Sequence, residues 1–163
     1  MNTFISRVYL PMAAIILTAA LAVPATAQKQ VPFKGALQGH ETDTPHGPTT
    51  LSVDGSATGM GTHVGEFSFR YQLTVNLANG TATGAAQLIA ANGDAIYTTV
   101  AGSSEPTATP GVVSITEINT ITGGTGRFAG AQGSFTLERL LNQGTGLTSG
   151  SFHGTITSPG AAH

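Results

Sequence analysis

Residues 66–77, EFSFRYQLTVNL, decide the fold class. Phe67, Phe69, Tyr71, Leu73, Val75 and Leu77 alternate with Glu66, Ser68, Arg70, Gln72, Thr74 and Asn76. A period of two over that length describes a strand with one buried and one wet face. On a helix the same apolar residues would spread around the whole circumference and bury nothing together. Asn79-Gly80 follows at once, a dipeptide suited to a tight hairpin turn because both residues tolerate positive φ.

Working outward, Thr81 to Ala91 reads as the returning strand, and Asn92-Gly93 predicts a second hairpin into Ala95 to Ala101. Upstream, Phe33 to Thr42 and Thr49 to Thr58 flank a loop carrying Pro45 and Pro48. Downstream, Val112 to Ile121, Gln132 to Leu141 and Ser149 to Thr157 bring the count to eight. Short strands with turn signals at regular spacing predict an all-β domain, a single eight-stranded antiparallel barrel, with a β-sandwich as the alternative. Ser103 to Gly111 is the longest polar, proline-containing break and is expected to cross one end of the barrel. Ser158 to His163 reads as a frayed tail.

Residues 1–27 read as an export signal. Arg7 supplies the positive start, Val8 to Val23 the apolar run, and Ala25-Thr26-Ala27 the small-residue cleavage pattern, so the domain is expected to span residues 28–163. The expected location is secreted or periplasmic, with no membrane association after cleavage. The chain contains no cysteine, so a domain sent to compartments that permit disulfides must be held by its core and backbone hydrogen bonds. Barrel closure suits that need, because it removes exposed strand edges. Charge is sparse, with a net of −2, and Lys29, Lys34, Arg70, Arg127 and Arg139 are scattered. That pattern argues against a nucleic-acid partner and against docking on anionic membranes.

The segment TGGTGRFAGAQGSF, residues 122–135, offers a dinucleotide-loop reading. That reading requires a following helix and a further βαβ unit, and only period-2, glycine-broken sequence follows. Read structurally, Gly123 and Gly124 take positive φ in a turn, Gly126 and Gly130 permit close strand approach, and Phe128 plugs the barrel end. Gly123-Gly124-Thr125-Gly126-x-Phe128-x-x-Ala131-x-Gly133 resembles the GGTG-x-F-x-x-A-x-G signature of the dirigent and allene oxide cyclase-like barrels, including exported bacterial members. Gly59 to Phe67 resembles it more loosely. The resemblance implies an eight-stranded barrel with a mostly apolar central pocket, often assembled as a homotrimer. The motif covers under a tenth of the chain, and the family's catalytic residues find no definite positions here. Fold kinship alone does not transfer an activity.

Four residues are candidates for a site. On Val112 to Ile121, Glu117 shares a face with Ile115 and Ile121; on Gln132 to Leu141, Arg139 shares a face with Phe135, Leu137 and Leu141. An inward Glu117–Arg139 pair is either a catalytic acid–base site or a structural ion pair. Tyr71 and Tyr97 lie on apolar-leaning faces and are the other candidate ligand contacts, each offering a hydroxyl. His40-Glu41-x-Asp43-x-x-His46 matches no metal-ligand spacing and reads more simply as hairpin-loop polarity; no metal or cofactor is expected. Three functions follow: a barrel binding a small apolar ligand, which the closed interior favours; a dirigent- or cyclase-like enzyme steered by Glu117; or an interaction protein whose phenylalanines fill the interior. Interior volume separates the third from the other two.

Overall fold

A computed structural model describes residues 29–157 and 159–160. The export signal read over residues 1–27, the expected start at Gln28 and the terminal His163 lie outside them. Eight strands run in chain order: β1 (Gln30–Pro45), β2 (Thr50–Gly61), β3 (Gly65–Asn76), β4 (Thr81–Ala90), β5 (Ala95–Pro106), β6 (Val112–Gly124), β7 (Gly133–Asn142) and β8 (Leu147–Thr157). Each pairs antiparallel with the next, and β1 closes on β8 from Gln30↔Thr157 to His40↔Leu147. Closure excludes the sandwich alternative, since a sandwich leaves two sheets with free edges.

Most strands outrun their expected bounds. β5 continues to Pro106 and pairs with β6 throughout, so the loop expected to cross a barrel end shrinks to residues 107–111. The expected two-residue turn at Asn79-Gly80 is a four-residue loop, Leu77 to Gly80. Asn76 pairs directly with Thr81, while the Asn76 carboxamide accepts from the Ala78 N–H at 2.9 Å. Gly80 takes a φ of 68° there. The second hairpin turns through Ala91 to Gly93, with the Gly93 N–H donating to Ala90 O at 2.9 Å and Gly93 in the left-handed region.

The interior has two halves. Toward the end where β6 passes into β7, Phe33, Phe67, Phe135 and Phe152 pack with ring centroids 4.9 to 6.0 Å apart. Such pairs add about 0.5–1.5 kcal/mol each beyond the area they bury. Cross-strand glycines make room for them. A side chain at Gly35 or Gly59 would run into Phe152 or Phe67, and Gly154 lies beneath Phe135. A short 3₁₀ turn, Gly126–Phe128, stoppers that end with Phe128 fully buried. Gly126 has a φ of 56°, and any side chain on it would strike the Asp94 carboxylate. Thr125 and Ala95 exchange two hydrogen bonds, and Arg127 Nη2 donates to Val64 O at 3.1 Å. The glycine-rich segment is therefore a plug sewn to the neighbouring turns. The tail expected over residues 158–163 lies largely outside the described residues, though the Gly160 N–H donates to Arg127 O at 3.0 Å.

The opposite end carries the loops after β1, β3, β5 and β7 and has no such plug among the described residues. The polar part of the interior lies on that side.

Candidate ligand-binding site

Alternation along four strands aims Glu41 (β1), Tyr71 (β3), Glu117 (β6) and Arg139 (β7) inward, and each is at least nine-tenths buried. Each faces a glycine across the sheet: Gly55 lies opposite both Glu41 and Tyr71, Gly102 opposite Glu117, and Gly150 opposite Arg139. A Cβ on Gly55 would enter the Tyr71 ring, and one on Gly150 would press against Arg139. The bulky polar side chains fit because their neighbours have none.

Arg139 is the hub. Its Nε and Nη2 donate to the two oxygens of Glu117 at 3.3 and 2.9 Å, a fork-to-fork pair. Its Nη1 donates to Glu41 Oε2 at 2.7 Å and to Thr148 Oγ1 at 3.2 Å. The Tyr71 hydroxyl also donates to Glu41 Oε2, at 2.7 Å, and the guanidinium carbon lies 5.1 Å from the centre of the Tyr71 ring. Glu41 Oε1 accepts no hydrogen bond from the described residues. Burial pulls the Arg139 guanidinium down, but the charge and hydrogen bonds of Glu117, with Tyr71 and Glu41 adding to them, together hold it above its ordinary range. Burial pushes the Tyr71 phenol far up, with the Glu41 carboxylate adding to the shift against Arg139. At the rim Asp43 is raised by burial first and by Glu41 second, with Arg139 opposing.

Above this cluster lies a cavity of about 90 Å³ reaching the unplugged end. Glu41, Glu117 and Arg139 form its polar floor, Val53, Leu73, Ile115 and Leu141 line its walls, and Asp43 sits at the rim. Pockets for drug-sized ligands hold about 300–1,000 Å³. This one suits a far smaller molecule, or the tip of a larger one. The phenylalanine cluster fills the other half of the barrel, so the interior is neither solid nor broadly open.

Of the four predicted site residues, Tyr71, Glu117 and Arg139 converge and Tyr97 does not. Tyr97 is 41% exposed on the outer face, because β5 sends Ile96, Thr98 and Val100 inward. Thr98 earns no penalty there: its hydroxyl donates to Asn119 Oδ1 at 3.0 Å. The β5–β6 register also shifts between Tyr97 and Thr98. Tyr97 borders a wider, more open hollow across the outer face of β1 to β5, with Arg70, Gln87 and Asp54. Glu41 and Thr148 belong to the site without having been predicted for it. Glu41 had a signal, since Phe33, Leu37 and Glu41 share one face at period two. The segment His40 to His46 does not act as a unit, because alternation exposes His40 and buries Glu41. Among the described residues no three His, Asp or Glu side chains are grouped to hold a metal ion.

No family model matches the sequence, and no curated protein matches it. A solved structure does. The pterocarpan synthase dirigent protein superposes with a TM-score of 0.58, covering 87% of this chain and 99% of its own, at 10% identity. The fold is a dirigent-like barrel. At that identity the likeness is one of backbone, so the roles of Glu41, Glu117 and Arg139 rest on their own geometry.

Proposed function

We propose that this chain is an exported dirigent-like barrel that takes up a small, mostly apolar molecule, or the end of one, through the unplugged mouth. One observation carries the proposal: an apolar-walled cavity ends on Glu41, a buried residue whose Oε2 is taken by Tyr71 and Arg139 while its Oε1 has no hydrogen-bond partner among the described residues. A carboxylate oxygen in so confined a site hydrogen-bonds to a donor that enters the cavity, whether a ligand or a water. The test is a panel of small alcohols, ketones and amines titrated against the protein, followed by amide chemical shifts. Binding should move the amides of residues lining the mouth. Val75→Trp, which fills the mouth from a half-buried wall position, should abolish the response and leave the fold intact. Shifts confined to the outer face would refute the proposal.

A second reading, acid–base catalysis on a small substrate, is favoured by the same free oxygen. In that reading Glu41 exchanges the proton. Glu117, with both oxygens engaged by Arg139, and Arg139 itself act as positioning residues. Glu41→Gln would then abolish turnover while retaining binding, whereas binding without turnover in the wild type would mark a binder only. The wider proposal places the chain among exported members of the dirigent and allene oxide cyclase-like barrels, assembled as a trimer. It is supported by the GGTG-x-F plug and the N-terminal stretch. N-terminal sequencing of the exported protein and its mass in solution test those two points.

A further inference from the structure

Electrostatic bookkeeping inside the barrel does not balance. Among the described residues the buried charged side chains are Glu41, Glu117 and Arg139, two carboxylates against one guanidinium. Asp43 adds a third carboxylate at the rim, two residues from Glu41 and on the same face of β1. Four of the five guanidinium N–H groups of Arg139 already serve Glu117, Glu41 and Thr148, so it has little left to offer an anion. Arg139 also stands between the two buried carboxylates and keeps them from sharing a metal ion.

We infer that the molecule entering the mouth is a compact organic cation, such as a small primary amine, whose ammonium lies between Glu41 Oε1 and the Asp43 carboxylate. Its apolar remainder lies along Val53, Leu73, Ile115 and Leu141. An ammonium presents three N–H donors to two carboxylates, Glu41 and Asp43, and its charge cancels the surplus that protein groups leave. A carboxylate would meet Glu41 and Asp43 head-on. A neutral alcohol would satisfy the hydrogen bond and leave the charge. The inference rests on the reading of this cavity as a ligand site.

The experiment uses three isosteric probes at matched ionic strength and pH 7: butylammonium, 1-butanol and butyrate, titrated into the ¹⁵N-labelled full chain. Butylammonium should saturate with shifts centred on Glu41, Ser104 and Leu141, and bind at least tenfold more tightly than 1-butanol. Glu41→Gln should cut butylammonium affinity at least tenfold and weaken 1-butanol far less. Asp43→Asn, an exposed rim change that does not endanger folding, should weaken butylammonium by about threefold on its own. Equal or tighter binding of 1-butanol or butyrate overturns the cationic assignment while leaving the ligand site standing, as does indifference of butylammonium to Asp43→Asn. Failure of all three probes to move the mouth amides overturns the ligand site and this inference together.

Discussion

Replacing Arg139 with Met removes the only buried cation among the described residues and keeps most of the side-chain volume. Four hydrogen bonds disappear, among them contacts of 2.7 Å to Glu41 and 2.9 Å to Glu117, and two carboxylates remain in the barrel without compensation. The paired side chains are only 2–3% exposed, so water does not screen them. Removing one partner of such a buried network costs about 3–5 kcal/mol, because the orphaned charges keep their desolvation penalty. For a domain of this size that corresponds to roughly 10–20 °C in Tm. The loss should depend on pH in a defined direction. In the variant, protonating the orphaned carboxylates relieves the folded state more than the unfolded one. The deficit therefore shrinks as pH falls from 7 toward 4 and is largest at neutrality. Urea unfolding of wild type and variant at pH 4, 5.5 and 7 measures it. The triple change Arg139→Met, Glu41→Gln, Glu117→Gln should recover most of the loss at pH 7, since neutral groups replace all three charges. A single-variant deficit below about 1 kcal/mol that does not change with pH would refute the account of a buried, charge-coupled hub.

Three further outcomes are expected. Tyr71→Phe should cost about 1–2 kcal/mol at pH 8 by removing the hydrogen bond to Glu41. The wild-type phenol is raised in the folded state, so it contributes stability below its unfolded pKa of about 10 and loses it as pH climbs above that; the variant should lack this alkaline decline in urea titrations. Gly55→Ala should destabilise by about 2–3 kcal/mol, because its Cβ enters the Tyr71 ring, and circular dichroism in the tyrosine region should change with it. Asp43 is raised in the folded state, so its ionised form weighs against folding at neutral pH. Asp43→Asn should therefore raise Tm at pH 7, and the gain should vanish below about pH 4, where both states of the wild type are protonated.

Period-two alternation was sufficient to set strands, faces and class, because a pleated chain with one wet side writes its burial directly into neighbouring residues. It put Tyr71, Glu117 and Arg139 on the more apolar faces of their strands, and the glycines around Phe128 separately pointed that residue to a barrel end. Local pattern failed where the faces of a strand were similar. β5 reads Ala95-Ile96-Tyr97-Thr98-Thr99-Val100, and the inward choice fell to Ile96, Thr98 and Val100. That choice depended on Asn119, across the β5–β6 pair, accepting the buried Thr98 hydroxyl. Turn lengths likewise followed pairing rather than dipeptide preference, as at Asn79-Gly80, where Asn76 and Thr81 close the ladder two residues early.

Strand identity, and side-chain burial wherever the two faces of a strand differed, were thus properties of the sequence by itself, since they depend on residues one or two apart. The meeting of Glu41 with Arg139, 98 positions away, depended on closure, which brings β1 round beside β8 and within reach of β7. So did the free oxygen of Glu41 and the cavity above it. Charge balance and empty volume are sums over every strand of the barrel, and no stretch of sequence contains them.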